Sequence, residues 1–567
     1  MSEQAVAPQT QPSWPSWARL EVVVVLILLL LLGAPNLIFP FRTDQGEYAY
    51  IAERFLDGKV IYRDVFNVKP PGTHWIHAAA LALFGHSMMA LRVMDLLWQA
   101  ATGVAIALIT IRLYGRRFLG LLAGAIYGVT YYAADFWHSA QTDGFVNLPT
   151  ALAILFFLIA LRRDRSRQWL AAGFMAGFAV LVKYPIGLIL PSMLLVLFVT
   201  RGGWRAAGGS RRVAGPGIAH QLPRIAAYRL GLTDYGLLLA GFLIPLALFV
   251  LTMAVRGGLD EFLQIQFGYI PNYNAGFVTD ESYLVYTGRR FLTFWQADPK
   301  IRWFIAVWLA EVLLSGLFMK WHREQWIVPL WGVAALVYPA VQNQYYYAHM
   351  HPLLPPLSIM LAHLVLNLDA FAGRYLPLLR PLVAGAAVLL PFFFLLHPMS
   401  PYQEPNVFEE YGNLWSVGTG QEALRTHYTR DDFGIYGWGG FSGQALMEAS
   451  DYVRQHTAPD DLIFVWSFEP AIYFVSGRDS ASRFIYNFPL YGRFAWPEFK
   501  ADFLREMETT RPALIVVGEN EAMPWVSGTE QDSWAAFHDF EAFHDFVNRH
   551  YVETARFAQF HIYERQG

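Results

Sequence analysis

Arg63-Asp64-Val65-Phe66-Asn67-Val68-Lys69-Pro70-Pro71-Gly72-Thr73-His74 is a polar island in a greasy N-terminal half. It lies soon after Asp44-Gln45-Gly46-Glu47-Tyr48 and closes the segment that follows the first long apolar run. Charge at this point, between stretches that suit hydrocarbon, is costly unless it serves a purpose. The 567 residues are 55% hydrophobic and 16% aromatic, with mean hydropathy +0.30. That exceeds an ordinary soluble domain, and the excess is concentrated before residue 400.

A membrane-crossing helix needs about 20 mostly apolar residues. Segments of that kind occur at roughly 20–40, 90–111, 118–134, 144–161, 168–182, 186–200, 233–255, 301–319, 325–342, 350–368 and 381–397, about eleven in all. The first has only Arg19 before it and no small-residue cleavage pattern after it, so it reads as an uncleaved span. Arg112, Arg116 and Arg117, then Arg162, Arg163, Arg165 and Arg167, then the arginines between 201 and 229, then Lys320 and Arg323, then Arg374 and Arg380 mark alternate loops. The positive-inside rule puts these loops and the N-terminus in the cytoplasm. Residues 41–89, 135–143, 256–300, 343–349 and everything after 398 then face outward. Lys183-Tyr184-Pro185 splits 168–200 into two short helices that form either two crossings or a hairpin.

After Pro398 the composition becomes that of a soluble domain. A Pro- and Gly-rich linker is expected over 398–440, followed by a small α/β domain to residue 567. Its expected helices are Ala445 to Gln455, Phe499 to Met507 and Trp534 to Asn548, and its expected strands Leu462 to Trp466, Ala513 to Val517 and Phe560 to Tyr563. Residues 1–397 form the membrane domain, with interfacial helices in the first outer loop, 41–89. Gly202 to Gly217 reads as a low-complexity cytoplasmic loop near anionic headgroups. The chain has no cysteine, so disulfides, thiolate metal sites and a cysteine nucleophile are excluded. Its net charge of −3 gives no reason to expect a nucleic-acid partner.

Several polar residues of the outer loops have both a bland and a chemical reading. Asp44 to Glu47 fits a capping box, with Asp44 as N-cap and Glu47 at the third helical position, and it also presents a carboxylate at the headgroup level. Lys69, held by Pro70 and Pro71, is either a headgroup anchor or a phosphate ligand. Arg63 beside Asp64 suits a surface ion pair. Asp143 suits a helix-entry cap. Interfacial His349 suits a cap, a phosphate contact or a metal. His74 and His77 lie three apart with no third ligand evident locally, so a divalent metal stays an open expectation. Tyr345 and Tyr346, like Phe267 to Asn274, suit an aromatic belt or a sugar platform. Trp466-Ser467-Phe468-Glu469-Pro470 ends an expected strand, where loops of α/β folds often bind ligands.

In order and spacing these segments resemble the polytopic glycosyltransferases of the GT-C class, in the branch of the dolichyl-phosphate-mannose protein mannosyltransferases and the bacterial lipid A aminoarabinose transferase. The carriers are Asp44-Gln45-Gly46-Glu47-Tyr48-Ala49, Lys69-Pro70-Pro71-Gly72, Thr142-Asp143-Gly144, Lys183-Tyr184-Pro185, and Tyr345-Tyr346-Tyr347-Ala348-His349 followed by Pro352 to Pro356. Where the family often has an Asp-Glu pair, this chain has Asp44 followed by Gln45, so Glu47 takes the second acidic role or that role is dispensed with. The resemblance implies a GT-C-like, mainly α-helical membrane protein of a bacterial cytoplasmic membrane with its C-terminal domain outside. It further implies inverting transfer of a sugar from a polyprenyl-phosphate donor to an acceptor hydroxyl on protein, glycan or lipid. Asp44 is then the expected base, assisted by Glu47; Lys69, Arg63, Lys183 and His349 face the donor phosphate, and Asp143, Tyr345 and Tyr346 the acceptor or sugar. The rival expectations are a transporter or flippase of lipid-linked saccharides, and a non-catalytic glycan-binding relative.

Overall fold

The computed structural model describes residues 18–41, 43–132, 139–163, 166–201, 222–277, 282–297, 299–318, 322–342, 345–396, 407–430 and 442–566. The expected loop Gly202 to Gly217 and parts of the expected linker lie outside the described residues. The described part of that linker contains two short helices, Val407–Gly418 and Leu424–Tyr428.

The protein is a mainly helical, multi-pass membrane protein with a small mixed sheet after its helices. Each of the eleven apolar segments falls on a helix. They are α1 (Ala18–Gly33), then, after the outer-loop helices α2 (Thr43–Leu56) and α3 (Pro71–Phe84), α4 (Met88–Tyr114), α5 (Arg117–Tyr132), α6 (Asn147–Arg163), α7 (Ser166–Val182), α8 (Ile189–Arg201), α9 (Leu222–Arg256), α11 (Pro299–Phe318), α12 (Ile327–Gln342), α13 (Leu354–Tyr375) and α14 (Arg380–Leu396); α10 (Tyr283–Ala297) lies before α11. Among the described residues, six stretches are long and apolar enough to cross a bilayer by themselves: Leu20–Ile38, Met88–Tyr114, Thr142–Arg162, Tyr184–Arg201, Leu232–Arg256 and Ala348–Tyr375. Small residues let these helices approach closely. A Cβ on Gly173 would stand 2.0 Å from the Leu238 carbonyl oxygen, and one on Gly177 2.2 Å from that of Phe242, so α7 and α9 meet backbone to backbone.

The terminal sheet has strand order β2-β1-β3-β5-β4, with β1 (Leu462–Trp466), β2 (Asp479–Ser480), β3 (Leu514–Gly518), β4 (Tyr551–Phe557) and β5 (Phe560–Arg565). β1 pairs in parallel with β2 and β3, and β5 pairs antiparallel with β3 and β4. The three expected strands are the buried ones. β4 escaped the sequence reading because it is an edge strand in which Glu553, Thr554 and Arg556 are exposed and interrupt the apolar run that marks the buried strands. The helices Gly443–His456 and Pro497–Thr510 occur as expected, whereas the helix expected from Trp534 to Asn548 breaks at Phe540 into Ser533–Asp539 and Glu541–His550.

Segment 41–89 and the sheet share one apolar core. Phe66 packs against Tyr269, Phe484, Tyr486 and Phe499, and Tyr50 stacks on Tyr473 at 4.9 Å. The Phe66 amide donates to the Arg483 carbonyl at 2.7 Å. Gly46 explains why α2 sits so close: a Cβ there would lie 2.5 Å from the Ala471 Cβ and 2.7 Å from its Cα. An amphipathic helix resting on lipid would keep one face open, but residues 45–52 of α2 are buried throughout, enclosed by protein.

Candidate active site

The start of α2 and the end of the polar island meet. Lys69 Nζ donates to Asp44 Oδ1 at 2.5 Å and to Glu47 Oε2 at 3.0 Å, and it stands 4.4 Å above the Tyr48 ring. The carboxylates that matched a capping box are turned to this ammonium. Asn67 fixes the arrangement from below: its amide donates to Glu47 Oε1 at 2.5 Å while its carbonyl oxygen accepts from the Lys69 amide at 2.5 Å. The Tyr62 hydroxyl holds the Lys69 carbonyl at 2.9 Å. Gly72 is required because a Cβ would lie 2.8 Å from the backbone of Leu181 and Val182, so the Lys-Pro-Pro-Gly turn abuts the end of α7 just before Lys183.

A second cluster adjoins the first. Asp143 accepts from Lys183 Nζ at 3.4 Å and from the Tyr338 hydroxyl. The link is Gln141, whose amide donates to Asp44 Oδ2 at 3.1 Å while its carbonyl oxygen accepts from the Tyr48 hydroxyl at 3.1 Å; Thr142 donates to that same hydroxyl at 3.2 Å. His349 interacts electrostatically with Asp143 and sits 5.1 Å from the Tyr346 ring.

The three charged groups of the first cluster differ in access. The Asp44 side chain is 40% exposed, Lys69 21% and Glu47 7%. Burial pulls both carboxyls upward, but Lys69 and Gln141 overcome it at Asp44 and hold its pKa below the ordinary value. At Glu47 burial prevails, with the Asp44 charge adding to it, and the pKa is raised. Burial alone would discharge Lys69, yet its two carboxylates raise its pKa well above that of a free lysine. The outcome is an ionised, accessible Asp44 beside a firmly charged lysine.

The remaining expectations sort by geometry. Arg63 takes no part in the cluster: its fork closes on Asp64 at 2.7 and 2.9 Å and its third nitrogen donates to the Arg256 carbonyl at 2.7 Å. That placement is the ion pair with Asp64 that the neighbouring charges suit. Gln45, where the family often has its second acid, is fully buried and donates to the Ser139 carbonyl at 3.0 Å. Glu47, one turn on, is the second carboxylate present. The Tyr345 and Tyr346 hydroxyls donate to the carbonyls of Thr287 and Trp525, tying outer segments together. His74 and His77 flank the Tyr48 ring at 5.9 and 5.0 Å, and among the described residues no three His, Cys, Asp or Glu side chains converge on a point that would hold a metal.

Sequence reasoning missed Gln141, Asn67, Tyr338 and Arg290. Arg290, on α10, has a buried Nε without a hydrogen-bond partner and interacts electrostatically with Tyr345 and Tyr346; Tyr346 also feels Asp44. The available signal was Arg289-Arg290 within an otherwise aromatic, amphipathic outer segment.

Comparison with known proteins bears out the resemblance. Residues 68–210, about a quarter of the chain, match the family model for dolichyl-phosphate-mannose-protein mannosyltransferase. An uncharacterized protein of Aquifex aeolicus is 27% identical over 158 residues, which is 27% of this chain and 32% of that protein, so the match spans only a third of its length. ArnT from Cupriavidus metallidurans, solved with undecaprenyl phosphate bound, superposes with a TM-score of 0.50 at 16% identity, covering 97% of this chain and 98% of ArnT. The two share the GT-C fold along their whole length. The oligosaccharyltransferase AglB of Archaeoglobus fulgidus gives a TM-score of 0.43 at 12% identity over 98% of this chain and 75% of AglB.

Proposed function

We propose that this chain is an inverting glycosyltransferase that moves a sugar from a polyprenyl-phosphate donor to an acceptor hydroxyl at the outer face of a bacterial cytoplasmic membrane. The observation that carries this reading is the Asp44–Lys69–Glu47 constellation, in which the more accessible carboxylate is also the one whose pKa is held below its ordinary value. Asp44 takes the acceptor proton as the acceptor oxygen forms its bond to the anomeric carbon. The bond from that carbon to the phosphate oxygen breaks, and its electron pair leaves on the phosphate. A single displacement of this kind inverts the anomeric configuration.

A phosphate leaving group needs positive charge more than a proton. Lys69 supplies it, with Glu47 and Asn67 fixing where its ammonium points. Lys183 and Arg290 are the further cations of the pocket, Lys183 being only loosely engaged by Asp143 at 3.4 Å. His349 borders the same space, while Asp143, Tyr345 and Tyr346 shape the acceptor side. A general base of this kind contributes roughly 10²- to 10⁴-fold. Residues 1–397 form the catalytic membrane domain, with the N-terminus cytoplasmic, and 398–567 form an outer domain.

The transporter reading would rest on Glu311 and His363, a buried pair on α11 and α13. Their hydrogen bonds close locally: Asn367 donates to Glu311 Oε2 at 2.7 Å and Ser315 to Oε1 at 2.9 Å, which suits a helix-to-helix tie better than an ion path. The test is incubation of purified protein with a panel of polyprenyl-phosphate sugars and acceptors, read by mass spectrometry. Donor consumption with a glycosylated product supports the transferase; movement of intact donor across proteoliposomes without consumption refutes it.

A further inference from the structure

Away from the Lys69 cluster, the outer sheet carries a second polar centre at the carboxyl ends of β1 and β3. The chain leaves β1 for β2 on one side and returns to β3 on the other, and both pairings are parallel. Loops diverge at such a reversal and open a crevice, the usual place for a ligand in α/β sheets. Here Ser467, just after β1, donates to Glu521 Oε2, just after β3, at 2.7 Å. Asn487 donates to the Ser533 hydroxyl at 2.7 Å beside them. Asn487 Oδ1 is a buried polar atom of this centre with no hydrogen-bond partner among the described residues, while Ser533 and the Phe468 amide also approach Glu521 and Ser527 approaches the Tyr491 hydroxyl. Unsatisfied groups are rare in native interiors and need a reason.

Tyr491 is also the inner wall of an open cleft of about 450 Å³, a size that suits a small ligand. The cleft has a recognisable chemistry. Tyr491 and Phe540 supply aromatic surface, Gln531 and Asp539 supply hydroxyl partners, and Arg493 and Lys500 supply positive charge. Gln531 already donates to Asp539, which orients both. Lys500 Nζ stands 4.9 Å from the centre of the Phe540 ring, and neither Lys500 nor Arg493 forms an ion pair among the described residues. Two uncommitted cations beside aromatic surface and amide-carboxylate partners fit a sugar that bears a phosphate or carboxylate.

The cleft also borders the active-site loops. Phe494, next to Arg493, packs on Tyr273 at 4.7 Å and Phe277 at 4.6 Å in the outer loop that leads to α10. Trp525, in the segment that leads to the cleft residues Gly528 and Thr529, accepts from the Tyr346 hydroxyl at 3.3 Å through its carbonyl, and Tyr346 feels the Asp44 charge. These contacts connect the segments that line the cleft to those around Asp44.

We infer that the cleft between residues 491–500 and 527–540 is a subsite for an anionic saccharide and retains the acceptor glycan during transfer. It rests on the transferase reading for its purpose but not for its binding. Full-length protein in detergent is titrated calorimetrically with maltotriose, phosphorylated maltotriose and tri-galacturonate. At least one charged sugar binds about tenfold or more tightly than maltotriose, and the two charged arms separate phosphate from carboxylate recognition. The double variant R493Q/K500Q, at positions outside the core, brings both charged sugars to the maltotriose level. Equal affinities in the wild type, or a preference that survives R493Q/K500Q with an unchanged melting temperature, would overturn the assignment. Lys69→Met separates the two readings, because it weakens binding of the lipid donor and keeps the saccharide preference. Should no lipid-linked donor be consumed while the preference persists, the transferase reading fails and the subsite stands.

Discussion

Asp44→Asn is the sharpest test of the chemistry, because the structure separates what the substitution removes from what it keeps. Asparagine has the shape of aspartate, and because Asp44 lies inside the first turn of α2 with its carboxylate turned to Lys69, no cap is lost. It also retains an oxygen for the Gln141 amide, now at 3.1 Å. Only the negative charge is lost, and with it the ion pair to Lys69. That pair is partly open, with side-chain exposures of 40% and 21%, so its loss costs about 1 kcal/mol of stability or less. Loss of the base costs roughly 10²- to 10⁴-fold in turnover, or about 3 to 5 kcal/mol on the barrier. Donor binding moves the other way, because an approaching phosphate no longer competes with Asp44 for Lys69. The assay is turnover of a polyprenyl-phosphate sugar by mass spectrometry, beside donor affinity and melting temperature on the same preparation. Turnover within a few-fold of wild type, or a fall in turnover matched by a collapse in melting temperature, would refute Asp44 as the base.

Lys69→Met is expected to weaken donor binding and slow transfer more than Arg63→Met, since Arg63 is closed on Asp64 and the Arg256 carbonyl; equal effects on measured donor affinity would reject the distinction. Arg290→Met should weaken donor binding with little change in melting temperature, and an unaltered donor affinity would remove Arg290 from the pocket. Burial pushes Glu521 up to about 7 against an ordinary value of 4.5, so between those limits the native chain holds a proton that the unfolded chain releases. Its contribution is full below about 4.5 and is lost as pH rises through 7, an effect on the order of 3 kcal/mol; Glu521→Gln should therefore melt higher than wild type above pH 7.5 and alike near pH 4, and parallel curves would contradict this. In a chain without native cysteine, an impermeant reagent should label a cysteine placed in the 201–230 loop only after lysis, and labelling in intact spheroplasts would overturn the orientation.

Much of this was legible because membranes impose simple rules on a sequence. All eleven apolar segments became helices, and the motif order around Asp44, Lys69, Asp143 and Lys183 brought distant segments to one place. What escaped has physical reasons. Asn67 and Gln141 are loop amides, and amides that bond side chains across 20 and 97 residues leave no periodic trace. The sharing of Lys69 between two carboxylates depends on a loop path that Gly72 permits through a backbone contact, not through any side chain. The Arg63–Asp64 ion pair was legible from adjacency alone, whereas the further bond of Arg63 to the Arg256 carbonyl spans 193 residues and leaves no local trace.

The packing ties the C-terminal sheet to the segments that carry the charged cluster. α2 carries Asp44 and Glu47, and its Gly46 backbone lies against Ala471; the island that carries Lys69 anchors Phe66 among Phe484, Tyr486 and Phe499. Tyr486 is near enough for Glu47 and Lys69 to act on it electrostatically. A chain ending near His397 would expose this face of α2 and the Phe66 pocket to water. Burying a Phe side chain alone is worth about 1.5 to 3 kcal/mol, so the loop that fixes Lys69 would lose its anchor. Donor turnover would then vanish for want of positioning, although no reacting group had been removed. Gly46→Leu makes the same point within the full chain: it forces α2 from Ala471 without touching a charged residue, and it should depress turnover through displacement of Asp44. Wild-type turnover in that variant would show that the outer sheet packs on the active site without positioning it.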